Sequence, residues 1–118
     1  MKYALLISGD ETVMNREPPA GATPISPEFT AYTDALRKAG VLVGGERLRS
    51  TRFARRVRVR DGKAVVLDGP YADTLEHLGG LFIIDVATEA EALGWAEKCP
   101  AALVGTVEIR PILITTIV

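Results

Sequence analysis

The densest collection of chemically able side chains lies between residues 68 and 80. Asp68, Tyr71, Asp73, Glu76 and His77 fall there, between a Gly69-Pro70 turn and Gly79-Gly80. His77 is the only histidine of the chain. An imidazole with an unperturbed pKa of ~6.5 is the natural acid/base group at neutral pH. Asp68, nine positions earlier across the turn, can fix the imidazole tautomer and stabilise the imidazolium. On this reading Asp68 and His77 exchange a proton with a substrate that Tyr71 and Asp73 help to bind. The same residues also have a structural reading. Asp73-x-x-Glu76 matches a capping pair for one helical turn, and Gly69-Pro70 is a turn on either view.

A second constellation is cationic. Arg47, Arg49, Arg52, Arg55, Arg56, Arg58 and Arg60 crowd into 14 consecutive residues. The planar guanidinium fork suits carboxylates and phosphates, so Arg58 is the candidate to orient an anionic substrate. A solvated edge hairpin whose charges block aggregation is the plainer reading. Nucleic acid is disfavoured, because Phe53 is the only aromatic available to stack on bases.

Other chemistries lack their residues. One histidine and one cysteine argue against a zinc site. There is neither a phosphate-cradling glycine loop nor a GxSxG nucleophile turn. No metal and no cofactor are expected. Cys99 falls on the apolar stripe of a helix and reads as a buried small residue. The formal net charge is −1, which gives no general drive toward nucleic acid or anionic membranes. The opening MKYALLIS is too short for a signal-peptide core, and no apolar run approaches membrane-spanning length. A cytoplasmic protein without a membrane partner is expected.

The elements that must position these residues follow from periodicity, and at 118 residues they form one domain, 1–118. Residues 2–8 predict a strand with Tyr3, Leu5 and Ile7 on one face and Ala4 and Leu6 on the other, apolar on both. Residues 9–25 read as a long polar loop, a lid or simply disordered. Ser26-Pro27 starts a helix whose stripe is Phe29, Tyr32, Leu36 and Ala39, and Gly40 ends it. Residues 41–49 form a strand in which Gly44 and Gly45 mark a bulge or close backbone approach. Alternation from Arg56 to Arg60, the Asp61-Gly62 turn and residues 64–68 make a hairpin. Residues 79–86 are another strand apolar on both faces. Thr88 with Glu91 caps a second helix packed through Ala92, Trp95, Ala96 and Cys99. A last strand spans about 104–114.

That order is α+β: a ferredoxin-like βαββαβ with an inserted β-hairpin. Two helices cover one face of a four-stranded sheet. The other face here is apolar too, so the sheet predicts a homodimer, a dimeric α+β barrel with apolar faces inward. The alternative cover is the chain's own C-terminal tail.

Asp68-Gly69-Pro70-Tyr71-Ala72-Asp73-Thr74 followed by Leu78-Gly79-Gly80 resembles the signature of the YCII-related, DGPF-motif proteins. The resemblance extends through Leu5–Glu11, Ala39–Leu48 and Val57–Lys63. It implies a dimeric α+β barrel and a pocket between sheet and helices beside the DGP turn. It also implies an enzymatic role centred on an Asp–His pair, and for some members association with extracytoplasmic-function sigma factors. The chain departs from the pattern: phenylalanine is usual where Tyr71 stands, lysine where Leu75 stands, and a glutamine-like residue where His77 stands. His77 therefore does not correspond to the histidine of the family's pair. Two functions follow. One is a small cofactor-free lyase or isomerase using acid–base chemistry on an anionic organic acid or lactone. The other is a non-catalytic module that binds a ligand or docks on a transcription factor.

Overall fold

The computed structural model describes residues 1–14, 26–70 and 75–114. Six strands and three helices follow in chain order: β1 (Lys2–Gly9), α1 (Glu11–Met14), α2 (Pro27–Lys38), β2 (Leu42–Arg47), β3 (Arg55–Arg60), β4 (Lys63–Asp68), β5 (His77–Asp85), α3 (Glu89–Lys98) and β6 (Thr106–Pro111). Strands β2-β5-β1-β6 form one antiparallel sheet, and β3-β4 a separate two-stranded one. With the hairpin set aside, the four main strands have the order of a ferredoxin-like α+β fold. Of the long polar loop, residues 11–14 are the single turn α1, and 15–25 lie outside the described residues.

Local chemistry sets the ends of α2. The Ser26 hydroxyl accepts from the Phe29 amide at 3.3 Å, and Pro27 occupies the first helical position, where no N–H is needed. At the other end Gly40 has φ +73°, a conformation costly for residues with a Cβ. It lets the Gly40 amide reach the Arg37 carbonyl and the Val41 amide reach Leu36, which is the Schellman closure. In the arm, Asp61 and Gly62 both have positive φ, 53° and 73°, as a two-residue type I′ turn requires.

The core lies between the sheet and the two long helices. Tyr3, Leu5, Ile7 and Ile84 from the strands meet Tyr32 and Leu36 of α2 and Ala92 and Ala96 of α3. Tyr32 also donates its hydroxyl to the Trp95 carbonyl at 2.7 Å. That carbonyl is released because the Cys99 amide turns to Ala96 instead, so one helix satisfies an orphan group of the other. Glycines permit close approach of β2 and β5. A Cβ on Gly45 would meet the Phe82 ring at 2.8 Å, and the β2–β5 register shifts between Leu42 and Gly44.

The last strand is shorter than its apolar sequence predicts. Pro100–Leu103 forms a 3-10 turn, closed by the Gly105 amide on the Ala101 carbonyl, and pairing with β1 runs only from Thr106 to Pro111. Leu113 and Ile114 are 84% and 86% exposed, so the described part of the tail does not cover the sheet.

The face away from the helices is a cross-strand pattern. Residues directly paired across strands share a face, which aligns Glu46, Leu81, Leu6 and Glu108 in one row. Gly44, Ile83, Ala4 and Arg110 form the next. The apolar centre comes from β1 and β5. Contrary to an apolar reading of the last strand, β6 contributes charge, with Arg110 Nε 3.9 Å from Glu108.

Cys99 is 1% exposed, and burial pushes its thiol pKa up. A thiolate is the reacting species, so iodoacetamide is expected to label Cys99 only as fast as the domain unfolds. Labelling of the native protein at the rate of a free thiol, followed by mass spectrometry, would contradict this packing.

Candidate functional site

The strand pairing ends in a bulge where β1 meets the start of β5. Ile7 pairs with Gly80, but Ser8 pairs with Leu78 and Gly9 with His77, leaving Gly79 as the extra residue. A bulge reverses the side-chain alternation beyond it. His77 is thereby brought into register with Gly9, on the parity of Leu5 and Ile7. The Gly79 carbonyl accepts from the Leu48 amide at 2.8 Å, which brings the segment after β2 alongside.

These strand ends and residues 48–54 enclose an open groove of about 490 Å³. Its lining is Leu48, Arg49, Ser50, Thr51, Phe53, Ala54, Pro70, Glu76, His77 and Leu78. Pro70 of the DGP turn borders it, but none of these residues belongs to a long helix. The groove therefore differs from the pocket between sheet and helices that the family resemblance implies.

Carboxylates organise the rim. Asp10 caps α1, accepting from the Thr12 amide at 2.9 Å and the Thr12 hydroxyl at 2.7 Å. Those two bonds hold its pKa below the usual carboxylate value, and the charge of His77 acts in the same direction. Glu11 clamps the opposite wall, with Oε1 2.7 Å from the Thr51 amide and Oε2 2.8 Å from the Thr51 hydroxyl. Glu76 accepts from the Thr106 hydroxyl at 3.0 Å and so ties the start of β5 to β6. On the far wall the Arg49 guanidinium stacks 3.8 Å from the centre of the Phe53 ring, and Arg52 also faces the ring, at 4.9 Å.

The sequence-derived candidates do not all converge here. His77 lines the groove. Asp68 does not: its side chain is 89% exposed and its carboxylate lies 3.5 Å from Arg55 Nε, its cross-strand neighbour at the base of the arm. Gly69, at φ +93°, donates its amide to the Ala54 carbonyl, so the DGP turn closes the base of the hairpin. His77 pairs with Gly9, the residue before Asp10. Arg58 sits on the arm, outside the groove lining. Tyr71 and Asp73 lie outside the described residues, and with Asp73 the first half of the Asp73-x-x-Glu76 pair.

Reading the sequence for chemistry passed over Asp10, the Glu11 clamp and the Arg49–Phe53 stack. Asp-x-Thr directly after a strand was the legible signal for Asp10 as a cap. Nothing local marks Glu11 as the partner of residues forty positions on. Among the described residues no three of His, Cys, Asp and Glu gather as a metal site would need. No helix among them is long and apolar enough to cross a membrane.

Comparison with known proteins agrees with this architecture. The profile of the YCII-related domain matches residues 1–115. An uncharacterized protein of Rhizobium meliloti is 33% identical over 114 residues, covering 95% of this chain and 92% of that protein. With the ferredoxin-like sheet, the inserted arm and a family match over nearly its whole length, this chain belongs to the YCII-related domain family.

Proposed function

We propose that the groove binds a small anionic organic acid or lactone and that His77 exchanges a proton with it, as in a cofactor-free lyase or isomerase. The observation carrying this reading is that the chain's only imidazole and a ring-stacked guanidinium, Arg49, line one groove with the Ser50 and Thr51 side chains. Arg49 supplies the charge-assisted donors that hold a carboxylate. Leu48, Phe53 and Leu78 supply apolar contact.

The test uses pyruvate and oxaloacetate as probes and follows solvent deuterium entering the carbon next to the ketone by NMR. Wild-type protein is expected to speed this exchange, and His77→Gln to lower it by about 10²–10⁴-fold. Equal exchange in both proteins would remove His77 from the mechanism. A second reading, a non-catalytic binding module, is favoured by the openness of the groove and the solvent-facing Asp68–Arg55 pair. It predicts probe-induced shifts of the His77 ring signals without deuterium uptake.

The same reading takes two copies to pair through the sheet face that the helices leave open. Leu6, Leu81, Ile83 and Ala4 supply an apolar centre, and Glu46, Glu108 and Arg110 a charged rim, the distribution typical of stable interfaces.

A further inference from the structure

The hairpin β3–β4 is an arm that no third strand joins among the described residues. Two-stranded ribbons are at best marginally stable in water unless a third element covers them. Register places Val57 with Val66 and Val59 with Ala64 on one face, and Arg56, Arg58 and Arg60 with Leu67, Val65 and Lys63 on the other. Beyond the Arg55–Asp68 pair at its base, the first face is apolar, yet Val57 and Val59 are 64% and 61% exposed and Val66 is 54% exposed. The radius of gyration is 16.2 Å, against roughly 13–14 Å for a compact chain of this length, as a projecting arm requires.

Charge is segregated along the same boundary. The arm, residues 55–68, carries five cationic side chains and two carboxylates, a net +3, in a chain whose total is −1. All other residues therefore carry a net −4. Two arms repel one another, whereas an arm and the body of another molecule attract.

We propose that each arm lies across the body of a second copy of this chain, valine face inward, so that two copies exchange arms. This rests on the homodimer reading but adds a separate contact. A six-residue ribbon of two strands has a footprint of roughly 200 Å². Two exchanged arms therefore bury about 800 Å², counting both surfaces. That is about half of the ~1,600 Å² of a standard stable interface, which leaves the sheet faces to supply the remainder. The arginines stay at the outer surface and edges of the arm, where they disfavour further strand addition.

Sedimentation velocity over a concentration series tests this with wild type, Val57→Asn/Val59→Asn and Leu81→Arg. The wild type is expected to be dimeric at micromolar concentration, and the valine double variant to dissociate at least about tenfold more readily. An unchanged dimer constant in the valine variant overturns the arm exchange. If Leu81→Arg then dissociates the protein, sheet-face pairing stands without the arms. If Leu81→Arg leaves the dimer intact while the valine variant dissociates, the arms stand and sheet pairing falls. A wild type that is monomeric up to about 100 μM overturns both.

Because substitutions could unfold the arm, amide exchange on the wild type gives an independent reading. Protection of residues 55–68 is expected to fall on dilution below the dimer constant. Protection independent of concentration, or gained only on adding random-sequence DNA at physiological salt, overturns the proposal.

Discussion

Leu36→Ala is expected to lower the free energy of unfolding by about 3–4 kcal/mol, the middle of the range for removing a fully buried leucine. Leu36 is 0% exposed, and with Tyr32 it is one of only two buried residues of α2. The position also sits inside the helix closure, because its carbonyl accepts from the Val41 amide. That fixes the backbone on one side of the space vacated, so the site collapses poorly and the cavity term is large. A domain of this size has a total stability of roughly 6–18 kcal/mol. The loss is therefore a substantial fraction and corresponds to a melting temperature lower by about 10–15 °C. Urea unfolding measures it as a shift in midpoint at constant slope. Leu36→Met, which keeps the volume, is expected to cost less than about 1.5 kcal/mol. A loss below about 1 kcal/mol for alanine would mean that α2 does not anchor on the sheet through this residue.

The same chemical change made at two glycines is expected to have opposite signs. A Cβ on Gly80 would stand 2.9 Å from the Glu46 carbonyl oxygen, a backbone atom of the paired strand. Neither strand can yield without stretching the β2–β5 ladder, so Gly80→Ala is expected to destabilise by about 1–3 kcal/mol. A Cβ on Gly94, inside α3, meets nothing within 4 Å. Gly94→Ala removes backbone freedom from the unfolded chain and is expected to stabilise by about 0.5–1 kcal/mol. Thermal or urea unfolding of the pair reads the difference, and two changes of the same sign would contradict the packing at Gly80. The position matters for the groove as well. Gly80 adjoins the Gly79 bulge that sets the register of His77, so displacement of β5 there is expected to move the His77 ring signals too.

Much of this architecture is carried by short-range chemistry that sequence exposes directly. Ser26-Pro27 and Gly40 bound α2, Thr88 caps α3 by accepting from the Glu91 amide, and Asp61-Gly62 turns the arm. Each works within four residues, because a cap or a tight turn satisfies backbone groups that are close neighbours along the chain. The double-faced apolarity of β1 and β5 likewise places them in the middle of the sheet.

Tertiary structure decided which residues gather around the imidazole. Along the chain Asp68 is nine residues from His77 and Asp10 is sixty-seven, yet His77 pairs with Gly9, next to Asp10, and lines a groove that does not include Asp68. The reason is the pairing of β1 with β5 and the single extra residue, Gly79, within it. Register between strands so far apart in sequence is fixed by the sum of all their cross-strand contacts, and a one-residue bulge reverses every side chain beyond it. No residue announces such a reversal by itself. The sequence determined the list of groups and the elements that carry them, while the meeting of His77 with the end of β1 and the Glu11-clamped wall required the folded sheet.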